Sequence, residues 1–386
     1  MSATFAPRPH GPALSVDRLA PYVARALGMT AGDVIEAFRP AAPGDLAAIM
    51  ELRRAVAGGN LWWDDERFLR WRYFDAPDRT PRYWVFEHAG RLLGGVGLEP
   101  VTLVVDGMPH AAVRSLDIMV HPSVDGLGIG ALVNLLLFAR YPLMLVMGTS
   151  ERSRSLIGRM FVEVTALGVS KLVLRSGPVL DGRLKPGLAV PVVAPAIDVL
   201  LRLRRLATRQ SARDLVVARL ARFDEAVTAL AARAEGPGRL VVRRTADYLN
   251  WRFVENPRCA HAVFGAFRQN RLVGYVVTRF NTARPNLRGE AEIVDWIVDG
   301  GTASEDAARV MTALLQVALD DMQRQGASIV KHLTSDAQSQ RLARRSGFVF
   351  RPDERLPFFV HASEPGLAAR LASGGWYLTA CDFDVD

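Results

Sequence analysis

Val120-His-Pro-Ser-Val-Asp-Gly-Leu-Gly-Ile-Gly-Ala131 stands between a β-rich run, Val113 to His121, and an apolar segment predicted to be helical over Ala131–Arg140. Glycines at 126, 128 and 130 permit left-handed backbone and leave no Cβ between the amides and a ligand. Consecutive N–H groups can then converge on an anion. The N-terminus of the following helix adds about half a positive charge. A pyrophosphate fits such a site without any cationic side chain. Glycines also mark plain turns, so spacing alone leaves both readings open. Two named phosphate motifs are excluded. A P-loop ends in GK[ST], and here Ala131-Leu132 follows. A dinucleotide fingerprint opens a βαβ unit, whereas this loop follows an antiparallel meander.

Outward from the loop, the pattern predicts a strand at Val34 to Arg39 and a helix capped by Asp45 that runs to about Val56. The FLRWRY segment reads as a second helix, ended near Pro77. Tyr83 to His88 and Leu92 to Val105 read as strands, and Asp106-Gly107 is a strong hairpin signal. After the loop and its helix come a fully apolar strand, Leu143 to Met147, a helix, Ser153–Phe161, and a last strand, Lys171 to Arg175. The order is that of an α/β fold around a mixed sheet.

The same pattern occurs twice. Residues 68–98 align without gaps on residues 248–278. Leu69, Trp71, Arg72, Pro77, Arg91, Leu92, Gly94 and Val96 recur as Leu249, Trp251, Arg252, Pro257, Arg271, Leu272, Gly274 and Val276. Chance would give roughly two such identities over this length. Ser115-Leu-Asp-Ile-Met-Val120 resembles Ile293-Val-Asp-Trp-Ile-Val298. The expected division is a tail with a short helix at 1–38, one domain at 39–176, a linker at 177–215 and a second domain at 216–386. Pro178, Pro186, Pro191 and Pro195 argue against a long helix early in the linker. Ile197 to Gln210 reads as a basic helix, with one apolar face on the protein and a solvated face bearing Arg202, Arg204, Arg205 and Arg209.

The 386 residues carry 48 Lys+Arg against 40 Asp+Glu, a net charge of +8 that permits an anionic partner without naming one. Cys259 and Cys381 cannot build a disulfide framework or a four-thiolate zinc site. The histidines show no metal-ligand spacing, and no metal is expected. The longest apolar stretch, Ala131 to Met147, is interrupted by Asn134, Arg140 and Pro142, and a membrane span needs about 20 mainly apolar residues. Pro7, Pro9, Gly11 and Pro12 mark the first residues as a flexible tail without a signal-peptide core. A soluble, cytoplasmic protein is the expectation.

Element order and loop together resemble the GCN5-related N-acetyltransferase (GNAT) superfamily. Val120, Pro122, Gly126, Gly128, Ile129 and Gly130 match its V-x-P and x-G-x-G-[IL]-G segments, and Ser346-Gly-Phe348 matches its late GF segment. The two copies with their WR[YF] segments resemble the tandem GNAT proteins of polysaccharide loci. The resemblance implies two GNAT-like domains and an N-acyltransferase using acetyl-CoA or another acyl-CoA. It places coenzyme A on Ile118, Met119, Val120, Gly126, Leu127, Gly128, Ile129, Gly130 and Ala131 of the first copy. The implied acceptor is an amine, with an amino sugar the narrower suggestion.

Three features depart from the pattern. Asp125 stands where the family has a basic residue. The family's tyrosine after the fifth strand, which protonates the leaving thiolate, is absent: the segment reads Ser150, Ser153, Leu156, Ile157, and in the second copy Asp336, Ser339, Leu342, Ala343. Gly300-Gly-Thr-Ala-Ser-Glu-Asp306 lacks the glycine spacing, so the second copy is expected to be a poor coenzyme site. These departures keep two alternatives in view, a non-catalytic ligand-binding protein of the same fold and a FemX-like aminoacyltransferase using charged tRNA. A basic amphipathic helix such as Ile197 to Gln210 is also of a kind that binds an acidic membrane surface or nucleic acid; nucleic acid is not the expected partner, and a membrane surface is the lesser alternative to a helix packed on the protein.

Asp117, which recurs as Asp295, is the carboxylate nearest the implied reaction centre and the candidate general base; it reads also as a strand-edge carboxylate bonding a neighbouring backbone group or arginine. His121 is a second candidate base. The repeated Trp71-Arg72 and Trp251-Arg252 read as core, and Trp62-Trp63 as acceptor-site candidates.

Overall fold

The computed structural model describes residues 14–57, 64–78, 80–181, 189–207, 214–280, 289–300 and 305–383. The tail before residue 14, the Trp62-Trp63 pair and Gly301–Ser304 lie outside them. The chain forms two compact units that are not contiguous in sequence. The first comprises residues 1–100, 112–163 and 359–369, and the second 101–111, 164–358 and 370–386.

The chain opens with α1 (Val16–Leu27), α2 (Ala31–Glu36), β1 (Phe38–Pro40), α3 (Leu46–Ala57) and α4 (Glu66–Tyr73). β2 (Tyr83–His88), β3 (Arg91–Val105) and β4 (Met108–Val120) form an antiparallel meander, followed by α5 (Ile129–Arg140), β5 (Leu143–Met147), α6 (Glu151–Met160) and β6 (Val162–Val173). In the first unit the strand order is β1-β2-β3-β4-β5. β5 lies parallel to β4, which requires the α5 crossover. The period of two puts Trp84 and Phe86 on the face covered by α1, α2 and α5, and Tyr83 and Val85 on the face covered by α3 and α4. At the β3–β4 turn Asp106 and Gly107 both take positive φ, as a two-residue primed turn requires.

Three expected elements differ. Val34 lies in helix α2 rather than in a strand. Thr30 Oγ1 accepts the Asp33 N–H at 3.1 Å, and Asp33 Oδ2 accepts the Thr30 N–H at 3.0 Å. That capping box outweighs the β preference of Val34-Ile35 and leaves β1 three residues long. Asp45 ends a single 3₁₀ turn and takes the Ala42 N–H and both Arg39 Nη groups on its carboxylate. The last strand of the first copy starts at Val162, immediately after α6.

The remaining elements are α7 (Gly177–Asp181), α8 (Ala189–Ala207), β7 (Val216–Leu220), α9 (Glu225–Ala234), β8 (Leu240–Val242), α10 (Ala246–Leu249), β9 (His261–Arg268), β10 (Arg271–Phe280), β11 (Glu290–Val298), α11 (Glu305–Arg324), β12 (Ile329–Thr334), α12 (Ala337–Arg345), β13 (Val349–Ala362), α13 (Pro365–Ala372) and β14 (Trp376–Tyr377). The prolines do not prevent a long helix. α8 runs nineteen residues through Pro191 and Pro195. Pro191 falls in the first turn, where its missing N–H has no helical partner to lose, and Pro195 forfeits one bond.

The second unit repeats the β9-β10-β11 meander with parallel β12, and β12 then pairs antiparallel with β6 of the first copy. The repeat extends to a charge-swapped pair. Glu99 binds Arg114 in the first unit, and Arg279 binds Glu292 at 2.6 Å at the matching positions of the second, all four side chains buried. Arg72 and Arg252 are likewise buried, as a core role for the WR[YF] segments requires.

Candidate functional site

β4 pairs with β5 only over Val113–Ser115 and Met144–Val146, yet runs on to Val120. Where the ladder ends, Asp117 adopts φ 48°, a left-handed conformation that L-residues rarely take. A buried ion cluster holds it there. Asp117 Oδ2 accepts from Arg53 Nη1 at 2.7 Å and from the Tyr73 hydroxyl at 2.8 Å. Burial alone would raise the Asp117 pKa. The Arg53 and Arg72 guanidiniums and the two hydrogen bonds outweigh it and hold the carboxyl below its usual range. A carboxylate so placed is a poor proton acceptor and a good anchor. It fixes the strand from which Ile118, Met119 and Val120 lead into the loop. Asp295 is anchored in the same way, accepting from Tyr275 at 2.7 Å, Thr379 at 2.7 Å and Arg244 at 3.2 Å.

The loop begins with a 3₁₀ turn, Pro122–Val124. Gly126 and Gly128 take φ 81° and 80°, and Gly128 is the N-cap of α5 without any side-chain cap. Leu132 is the first residue whose N–H is bonded within the helix, to the Gly128 carbonyl at 2.9 Å. The amides of Ile129, Gly130 and Ala131 therefore point out of the helix start with the positive end of its dipole. A Cβ at Gly128 would stand 3.3 Å from Leu19 Cδ2 of α1, and one at Gly126 would meet nothing within 4 Å. Asp125 is exposed at the mouth of the loop, with φ −61°. His121 Nδ1 lies 2.7 Å from Ser123 Oγ and accepts the Ser123 N–H at 3.1 Å, so in the neutral ring the proton sits on Nε2.

On the other side of the ladder's end, Ser150 caps α6 by accepting the Ser153 N–H at 3.2 Å. Ile157 is buried in the core at the position where a tyrosine was sought. In the second unit Asp336 caps α12 through Ser339 in the same way, at 2.7 Å.

The corresponding cleft of the second unit is bridged by its own chain, which sequence reading missed. The β11–β12 ladder ends at Ile293 and His332. The segment around β14 then ties the two strand ends together. The Tyr377 hydroxyl donates to the Trp296 carbonyl, Ser335 Oγ donates to the Trp376 carbonyl at 2.7 Å, and Thr379 bridges to Thr334. His332, beside the bridge, is fully buried, and burial pushes its pKa down to about 4, so it is neutral at pH 7. An open space of about 510 Å³ remains next to the bridge, lined among others by Arg239, Ser335, Asp336 and Tyr377. Among the described residues no group of His, Cys, Asp and Glu could hold a metal ion, and no helix is long and apolar enough to cross a membrane.

No family model and no curated protein matches the chain. Solved structures do. A GCN5-related N-acetyltransferase from Anabaena variabilis superposes with a TM-score of 0.58 over 85% of this chain and 72% of its own, at 11% identity. The myristoyl-CoA-bound N-myristoyltransferase of Saccharomyces cerevisiae gives 0.54 over 84% and 82%, at 10% identity. A tandem GNAT protein of the clavulanic acid biosynthesis pathway gives 0.50 over 85% and 98%, at 14% identity. The fold is the GNAT fold, in tandem. In GNAT terms the first unit keeps an open strand end with a glycine loop, and the second closes the same place with β14.

Proposed function

We propose that this tandem GNAT chain is an acyltransferase that takes its acyl group from coenzyme A and delivers it to an amine, and that the first unit holds the coenzyme. The observation that carries this reading is the uncapped start of α5 behind two left-handed glycines, at the end of the β4–β5 ladder. Gly126, Leu127, Gly128, Ile129, Gly130 and Ala131 would hold the pyrophosphate, and the backbone of Ile118, Met119 and Val120 the pantetheine arm. Acetyl-CoA is the simplest donor and an amino sugar the narrower acceptor candidate.

In the reaction the amine lone pair attacks the thioester carbonyl carbon, an N–C bond forms, the C–S bond breaks and the thiolate leaves with the electron pair. The amine gives up its proton. Backbone N–H groups at the end of β4 would stabilise the oxyanion. No tyrosine is needed for the leaving group, because the thiolate of a thiol with a pKa of about 8.5 leaves readily and can take its proton from water or from the attacking nitrogen as it becomes an amide. Asp117 serves here as a positioning residue rather than the base. His121 Nδ1 already accepts the Ser123 N–H, so the amine's proton passes to water or to the leaving thiolate.

Incubation with acetyl-CoA and a panel of amino sugars, polyamines and amino acids should release free thiol with at least one acceptor. Acetyl-CoA binding without thiol release across the panel favours the second reading, a coenzyme-binding protein without turnover, for which Ile157 in place of a tyrosine speaks.

Asp125 supplies a separate check on the coenzyme's placement. Its carboxylate at the loop mouth repels a pyrophosphate. Asp125→Arg should tighten coenzyme A by about 1–2 kcal/mol at low salt, with the gain shrinking as salt is added. An unchanged dissociation constant would place the phosphates elsewhere.

A further inference from the structure

Among the described residues, α8 shows more large apolar side chains to water than any other helix. Val193, Val199, Leu200 and Leu203 are 46, 58, 67 and 57% exposed, whereas Ala194 is buried. The protein-facing side is fixed by Ser176, whose N–H donates to Asp198 Oδ1 at 2.6 Å and whose hydroxyl donates to the Ala194 carbonyl at 3.0 Å. At 100° per residue, Ala194, Asp198 and Leu201 share that side, and Val199, Leu200 and Leu203 lie on the other. Of the arginines expected on the solvated face, Arg202 is exposed and the side chains of Arg204, Arg205 and Arg209 lie outside the described residues; beside Arg202 an apolar stripe faces water. Arg202 is exposed on one border of it, and the sequence position of Arg204 falls on the opposite border.

We infer that α8 is an interfacial helix that seats the protein on an anionic lipid surface. Three observations select that occupant. The stripe is apolar enough to enter the acyl boundary, but the helix is not one that could span a bilayer. Arg202, exposed at the border of the stripe, lies where lipid phosphates would lie when it is immersed. The helix carries a single acidic residue, Asp198, already bonded to Ser176, so a second copy of this helix would bring like charges together with no carboxylate to pair them. The chain's surplus of eight positive charges acts in the same sense.

Vesicle flotation of the full chain tests this. It should float with vesicles of phosphatidylcholine mixed with phosphatidylglycerol and far less with phosphatidylcholine alone. The double variant Leu200→Glu/Leu203→Glu replaces only outward side chains, so its melting temperature should match the wild type while its bound fraction falls at least about tenfold. Arg202→Gln should weaken binding to the anionic vesicles less, and added salt should weaken it in the wild type. Absence of flotation in the wild type, or equal flotation of the double variant, overturns the inference. So does a dimer in light scattering that the double variant dissolves, which would make the stripe an interface between copies.

Discussion

Asp117→Asn is expected to lower the stability of the first unit by about 3–5 kcal/mol at neutral pH. The substitution leaves Arg53 buried beside a neutral amide. Both side chains are almost fully shielded, at 2 and 4% exposure, so water cannot repair the loss. The pH dependence has a definite sign. The Asp117 pKa is depressed in the fold, so its contribution is fully present above the unfolded carboxylate value of about 3.9 and is lost as pH falls through the folded value. The gap between wild type and Asp117→Asn in denaturant titrations should thus be constant from neutral pH down to about 5 and close under stronger acid. A variant as stable as the wild type at pH 7 would show that the Arg53–Asp117–Tyr73 cluster is not an anchor. A stable variant with acyl transfer reduced about 10²–10⁴-fold would instead restore Asp117 as the base.

Gly128→Val should weaken coenzyme A at least about a hundredfold. Two effects combine. A β-branched residue at φ 80° costs on the order of 1–2 kcal/mol, and relief of that strain rotates the amides that should meet the pyrophosphate. Each charge-assisted hydrogen bond lost is worth roughly 1.5–3 kcal/mol, so two suffice for the factor. The new side chain would also press on Leu19 of α1. Gly90→Val is the matched control. Gly90 has φ 74° and open space around it, in the β2–β3 turn outside the glycine loop. It should share the backbone strain and keep the affinity. Equal loss in both variants would reduce the effect to general destabilisation.

What could be read from the sequence was local. β2 and β5 fall at the predicted residues because each is a short β-rich run bounded by turn residues, and α4 covers the predicted FLRWRY segment, though it ends at Tyr73, short of Pro77. The α2 signal is also local, since Thr30 and Asp33 spell a capping box that outweighs the β preference of Val34 and Ile35. The loop's glycines were recognised, but their conformations and the missing side-chain cap at Gly128 were not. Distant pairing left no trace. Arg53 meets Asp117 across 64 positions, Thr379 meets Asp295 across 84, and Ser363 binds the Pro142 carbonyl across 221. Periodicity carries no information at such separations, which is why β14's closure of the second cleft and the discontinuous units were not foreseen. Nor could the pattern of α8 say which of its sides faces the protein, because that is decided by Ser176 and Asp198.

The central claim is that one unit of the two binds the coenzyme. Calorimetric titration of the full chain with acetyl-CoA tests it most directly. One site per chain is expected, abolished by Gly128→Val and kept by Gly90→Val. Two sites per chain, or binding that survives Gly128→Val unchanged, would contradict it.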